Sequence, residues 1–198
     1  MKKLLTTLLF LMLAFSMFAQ EEQQADQAQQ DAAMKAWTDF MTPGDEHAML
    51  AKGTGEWKVS QKFWMMPGGE PMETEGSAVG EMIMGGRYLV MNHSGNAMGM
   101  PFEGMSIEGY DNAADKFVSV WIDNLGTGVA YSEGHFDEES GLLVYEGSMT
   151  DPITKEDVWF KQTTKTVNDN ELYFEMFIKA PDGTEFKNME MTFTKKTM

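Results

Sequence analysis

The sequence predicts an all-β protein, an antiparallel up-and-down β-barrel of about ten strands preceded by a short helix. Three observations carry the prediction. From Gly55 onward apolar residues recur at every second position, the period of a strand with two unlike faces. Turn-forming residues interrupt the chain at intervals, among them Pro67-Gly68-Gly69, Gly85-Gly86, Asp111-Asn112 and Pro181-Asp182-Gly183. Each supplies positive φ or a side chain that bonds its own backbone. Ten sequential strands in an open sheet would also leave two long edges, and closure removes them. A two-sheet sandwich explains the same alternation, and the barrel is preferred over it.

The elements follow in order. Residues 1–19 have the layout of a secretory signal peptide, with Lys2 and Lys3, an apolar run from Leu4 to Phe15, and Ala19 at the cut. The run is shorter than the roughly 20 residues a membrane span needs. Export to the periplasm or exterior is therefore expected, with no stable membrane insertion after cleavage. Residues 20–42 are rich in Gln, Ala and acids and read as a flexible spacer or a frayed helix. Pro43-Gly44-Asp45-Glu46 is a good helix start and Lys52-Gly53 a good stop. That helix is expected to present Ala48, Met49 and Leu50, with His47 exposed. Residues 43–198 form one domain.

Strands are expected at Glu56–Trp64, Met72–Met84, Tyr88–His93, Phe102–Tyr110 and Phe117–Asp123. Five more follow at Gly128–Phe136, Leu142–Met149, Val158–Thr164, Leu172–Lys179 and Phe186–Thr194. Phe102–Tyr110 and Phe117–Asp123 are apolar or aromatic on both faces. One face can line a lumen that is filled by side chains or holds one small ligand. The other needs a cover, which the amino-terminal helix, a neighbour or a second protomer would supply, so a homodimer is one expectation.

Composition narrows the function. The formal net charge is −16, unsuited to nucleic acid or anionic membrane surfaces, whose binding relies on cationic side chains. There is no cysteine, which excludes disulfides, thiolate metal sites and a cysteine nucleophile. No P-loop, dinucleotide glycine pattern, G-x-S-x-G or EF-hand loop occurs, so no catalytic residue can be named and the chain reads as leaning away from an enzyme.

Gly55-Glu56-Trp57, opening a strand just after a short helix, resembles the start of lipocalin barrels. The resemblance implies that the Trp plugs the floor with a basic residue lying across it, here Lys195 or Lys196. A longer ordered series resembles the bacterial family called domain of unknown function 1579 over about Pro43 to Lys195. It comprises PGDEHAMLAKGTGEW, GGRYL, FEGMSIEGYDN, VWIDNLGTG, EGHFDEESGLL and MTDPIT. That resemblance implies a small lipocalin-like barrel and no established activity.

Several residues are candidates for binding. Arg87 is the single arginine, a planar permanent cation suited to gripping an anionic group at the barrel mouth or to pairing with Asp123, Asp111 or Glu108. Tyr110, Trp121 and Asp123 share one alternation if their strands pair, giving two rings and a polar anchor for a pocket wall. The alternative for Asp123 is a cap on the turn that follows it. His93 and His135 are weak candidates for a metal or haem iron in the lumen, and haem is the one cofactor weighed. Met98, Met100 and His93 would suit Cu(I), but the abundant methionines (20 in all) read more simply as adaptable filling. A carboxylate base, Asp123 or Glu108, would serve a hydrolase or isomerase. The favoured reading is a barrel that binds a small, largely apolar molecule, and its rival is an interaction module with a packed interior.

Overall fold

The computed structural model describes residues 23–24, 26–97, 99–180 and 182–196. The signal-peptide expectation and Met98 lie outside the described residues. The chain divides between Thr42 and Pro43 into two units. In the first, residues 26–41 are helical (α1), so the helical reading of the spacer is the one realised. Thr38 and Thr42 hydroxyls bond back to the carbonyls of Met34 and Thr38, and Pro43 bars continuation because the residue before proline disfavours helical backbone. Among the described residues no helix is long and apolar enough to cross a membrane.

The second unit opens with α2 (Asp45–Leu50) and a 3-10 turn (Ala51–Gly53), then ten strands. These are β1 (Gly55–Phe63), β2 (Met72–Ile83), β3 (Tyr88–Ala97), β4 (Met100–Asp111), β5 (Lys116–Asp123), β6 (Ala130–Asp137), β7 (Leu142–Thr150), β8 (Asp157–Asn168), β9 (Glu171–Lys179) and β10 (Glu185–Lys195). Each pairs antiparallel with its sequence neighbour, and β1 pairs with β10, so the sheet is a closed ten-stranded barrel. β3 and β8 run about four residues beyond the expected strands because their polar ends, Ser94 to Ala97 and Lys165 to Asn168, still find ladder partners.

Three turns share one device. Asp111, Asp137 and Asp151 each accept backbone N–H groups two and three residues on. The residue four positions on, Asp115, Gly141 or Lys155, then takes positive φ and donates its N–H back to the aspartate carbonyl. The carboxylates pre-fold the reversal by satisfying amides that the strands cannot.

One end of the barrel is closed. Trp57 is completely buried and its indole N–H donates to Gly53 O at 2.9 Å. Lys195 Nζ lies 5.2 Å from the centre of its ring, so Lys195 is the crossing cation, while Lys196 reaches Glu56 on the outside. Leu50, Leu89, Phe117, Leu172 and Phe193 pack with Trp57 as the core. The burial of α2 corrects the sequence expectation. His47 and Leu50, three residues apart, are buried and Ala48 is exposed. His47 is drawn in because Gly44 N–H donates to its Nδ1 at 3.1 Å and its ring meets Tyr110 edge-on.

Candidate functional site

Pairing puts Ala78 opposite His93, His93 opposite Gly104, and Ser106 opposite Trp121. Continuing around the ring, the residues sharing this face line a cavity of about 1140 Å³. Its volume is just above the usual range for small-molecule sites, roughly 300–1,000 Å³. The interior is therefore not filled by side chains, which counts against the packed-interior alternative. The lining runs from Met49, Leu50 and Gly53 at the closed end to Asn96 near the end of β3 and to Gly99 and Leu125 in the loops of the opposite end. Most of it is apolar, with Met91, Phe160, Phe174, Met176, Met191 and Phe193 among the wall residues. On β4 and β5 it is the Ser and aromatic positions that face inward. The aliphatic set, with Ile107 and Ile122, faces outward and is partly exposed.

Trp121 is placed by two features. Gly104 stands opposite Asp123 and beside Trp121, and an added Cβ would come within 2.5 Å of the indole. The indole can lie across β4 only because position 104 is empty. Its N–H donates to Asp123 Oδ2 at 2.8 Å, while Asp123 Oδ1 accepts the Leu125 N–H at 2.9 Å. Asp123 thus caps its turn, as one of the two sequence readings had it, and aims the Trp121 indole at once. Phe102 stacks on Trp121 with ring centres 6.3 Å apart, and His93 meets it edge-on at 5.2 Å.

The other sequence candidates fall elsewhere. Arg87 sits in the β2–β3 turn at the closed end and donates to Met84 O at 3.0 Å. It is outside the lumen wall and at the end away from the mouth, where the ligand-gripping alternative had placed it, because β3 begins immediately afterwards. Tyr110 shares the inward parity but stands one step below the cavity. Its ring packs on Phe117 at 4.8 Å, its hydroxyl donates to Asp115, and that bond pushes its pKa up to about 12. It is floor, not wall. His135 faces outward and is exposed. His93 faces the lumen between Trp121 and Phe193, and burial pushes its pKa down to about 4, so the imidazole is neutral.

The polar lumen residues include Glu108, which the sequence offered as a carboxylate base, and Tyr145, Ser106, Ser119, Gln162 and Asn188, which it left without a pocket role. Glu108 accepts the Tyr145 hydroxyl at 3.2 Å and the Ser106 hydroxyl at 3.4 Å. Burial raises its pKa, with the two hydrogen bonds opposing that rise. What exposure it retains is to the lumen. The same burial, with the neighbouring carboxyl, holds the Tyr145 pKa well up. The signal was parity: Glu108 has the same alternation as Ser106 and Tyr110. Asn188 sits where β10 bulges against β9, and its Oδ1 is buried without a partner. Nothing in local sequence announces a bulge there. Among the described residues no group of three or more His, Asp or Glu is gathered for a metal ion.

Comparison with known proteins agrees with this architecture. The crystal structure of Rv2717c from M. tuberculosis aligns with a TM-score of 0.59 at 13% identity, covering 79% of this chain and 100% of that one. That level of identity supports the shared fold alone. A redesigned β-barrel, b11L5F_LGL, aligns at a TM-score of 0.38 and 10% identity over 75% of this chain and 95% of that one. No curated protein matches the chain. The model of the family described as "Protein of unknown function (DUF1579)" matches residues 42–195, nearly the whole barrel unit, and the chain belongs to that family.

Proposed function

We propose that the barrel binds one small, largely apolar molecule in its lumen, as an exported protein of the periplasm or exterior. The observation that carries the reading is the cavity of about 1140 Å³ inside a ring that has no open edge. Water solvates a wall this apolar poorly, and an apolar ligand gives it dispersion contacts along its length. Trp121, Phe102 and His93 form one side of that wall, with Asp123 fixing the indole. Flexible methionines on the other side adapt to ligand shape.

The test is titration with Nile red, a neutral apolar dye whose emission rises on leaving water. Micromolar binding is expected, weakened about tenfold or more by Trp121→Ala through lost contact area. Absence of binding, or binding indifferent to Trp121→Ala, defeats the reading. Native mass spectrometry of protein purified from its own host would show the ligand directly as added mass.

Haem is a second reading because His93 offers a neutral imidazole to the lumen. Against it stand the carboxylates of the lining, Glu73, Glu75, Glu108 and Asp123, which are poor company for propionates. Addition of haemin with no Soret shift, or a shift unchanged by His93→Ala, removes this reading.

A further inference from the structure

We propose that Glu108 is the head-group anchor of the lumen and selects an apolar molecule ending in an uncharged hydroxyl over one ending in a carboxylate. The proposal rests on the lumen-binding reading above. Glu108 is the acid carried by the inner face of β4 between the mouth and the floor, flanked on that face by Ser106 and Tyr110. Its two protein partners are long for O–H···O bonds, at 3.2 and 3.4 Å, against an ordinary length of about 2.7–2.8 Å. A carboxyl so loosely held has capacity for a closer partner. Ser119, directly opposite in register, is buried beside it. Ser132 follows Ser119 in register and is buried as well, and a carboxyl kept out of water costs stability unless something bonds it.

The chemistry of the partner follows. Desolvation favours the protonated carboxyl, which offers one donor and one acceptor, and a hydroxyl answers with the same pair. A carboxylate ligand brings a charge that nothing in the lumen neutralises. The lysines of the lining, Lys52 and Lys165, are exposed at the closed end, and no ion pair among the described residues involves Glu108. Burying such a charge without a cation is strongly unfavourable.

The experiment displaces Nile red from the intact protein at neutral pH with decanol and with decanoate, which have the same chain length. Decanol is expected to displace the dye at a concentration lower by a factor on the order of ten or more, the usual cost of a buried unmatched polar or charged group. Glu108→Leu should weaken decanol about tenfold and narrow the ratio between the probes without abolishing it, since decanoate still buries a charge without a cation, while Glu108→Gln, which keeps a donor and an acceptor, should retain decanol. Equal potency of the two probes on the wild-type protein overturns the anchor while leaving lumen binding intact, and so does a preference that Glu108→Leu leaves unchanged. Failure of the dye itself to bind overturns the lumen reading instead. Should Glu108→Leu prevent folding, Glu108→Ala read by the same ratio replaces it, and a ratio equal to the wild-type value again overturns the anchor.

Discussion

The closed end depends on a glycine whose replacement tests the whole account of the floor. Gly80 of β2 lies beneath the 3-10 turn, and a Cβ there would sit 2.1 Å from Gly53 O, 3.0 Å from Gly53 C and 3.4 Å from Thr54 Cα. The first distance falls more than about 1 Å short of an ordinary carbon–oxygen contact. Gly80 has no left-handed φ, so Gly80→Ala acts through space alone. The turn must rise by about that shortfall, and Gly53 O is the acceptor of the Trp57 indole at 2.9 Å, a bond that does not survive such a shift. Overpacking costs about 1–3 kcal/mol, and a buried N–H left without a partner adds about 1–3 kcal/mol. A loss of about 2–6 kcal/mol is therefore expected, in urea denaturation followed by tryptophan emission. The change should be visible in the native emission as well, since Trp57 is fully buried in the folded protein. A loss under about 1 kcal/mol, with native emission unchanged, would refute the floor as described.

Other substitutions address the lumen. The Glu108 pKa is raised above its ordinary 4.5 by burial, so as pH rises the unfolded chain ionises first and the folded state is penalised. Glu108→Gln should therefore stabilise the protein at neutral pH, and the gain should vanish below the ordinary carboxylate range; equal gains at acid and neutral pH in denaturation series would contradict this. His93 runs the opposite way. Its pKa is lowered from 6.5 to about 4, so acidification through that window protonates the unfolded chain first and costs stability. His93→Phe should flatten that fall, and an unaltered slope would rule out the assignment. Asn188→Leu removes a buried carbonyl with no partner and should raise stability by about 1 kcal/mol, whereas a loss above about 1 kcal/mol would mean that the amide is bonded. Lys195→Met removes a cation 5.2 Å from the Trp57 ring and should cost about 0.5–1 kcal/mol in the same urea assay; a neutral result would show the crossing lysine to be incidental.

Architecture was legible because each strand obeys a two-residue period and each reversal carries its own chemistry. Asp111, Asp137 and Asp151 mark turns by accepting amides two and three residues on, and that is a local rule. The floor was legible through the resemblance of Gly55-Glu56-Trp57 to the start of lipocalin barrels, which implied the plugging tryptophan and the crossing lysine. The pocket was less so. Parity names Trp121, Asp123, Glu108 and Tyr110 alike, yet only register and tilt decide which of them stands beside empty space and which is packed under it. Tyr110 fell on the packed side because Phe117 and His47 close over it. His47 was misjudged for a related reason, since a three-residue hydrogen bond from Gly44 turned a polar helix residue inward. Arg87 was drawn toward function by its rarity, which says nothing about the end of the cylinder on which a residue lies.

The seam between β1 and β10 has a consequence for how the chain can be cut. Lys196 N–H reaches Glu56 O at 2.8 Å and Trp57 stands opposite Lys195, so the two ends of the barrel segment are already neighbours. A Gly/Ser bridge from Lys196 back to Pro43, long enough to keep α2 and the 3-10 turn in the floor, with new termini opened in the Asp151–Glu156 reversal, would preserve every ladder. Such a circularly rearranged chain should still close into the same ring, with only the order of synthesis changed.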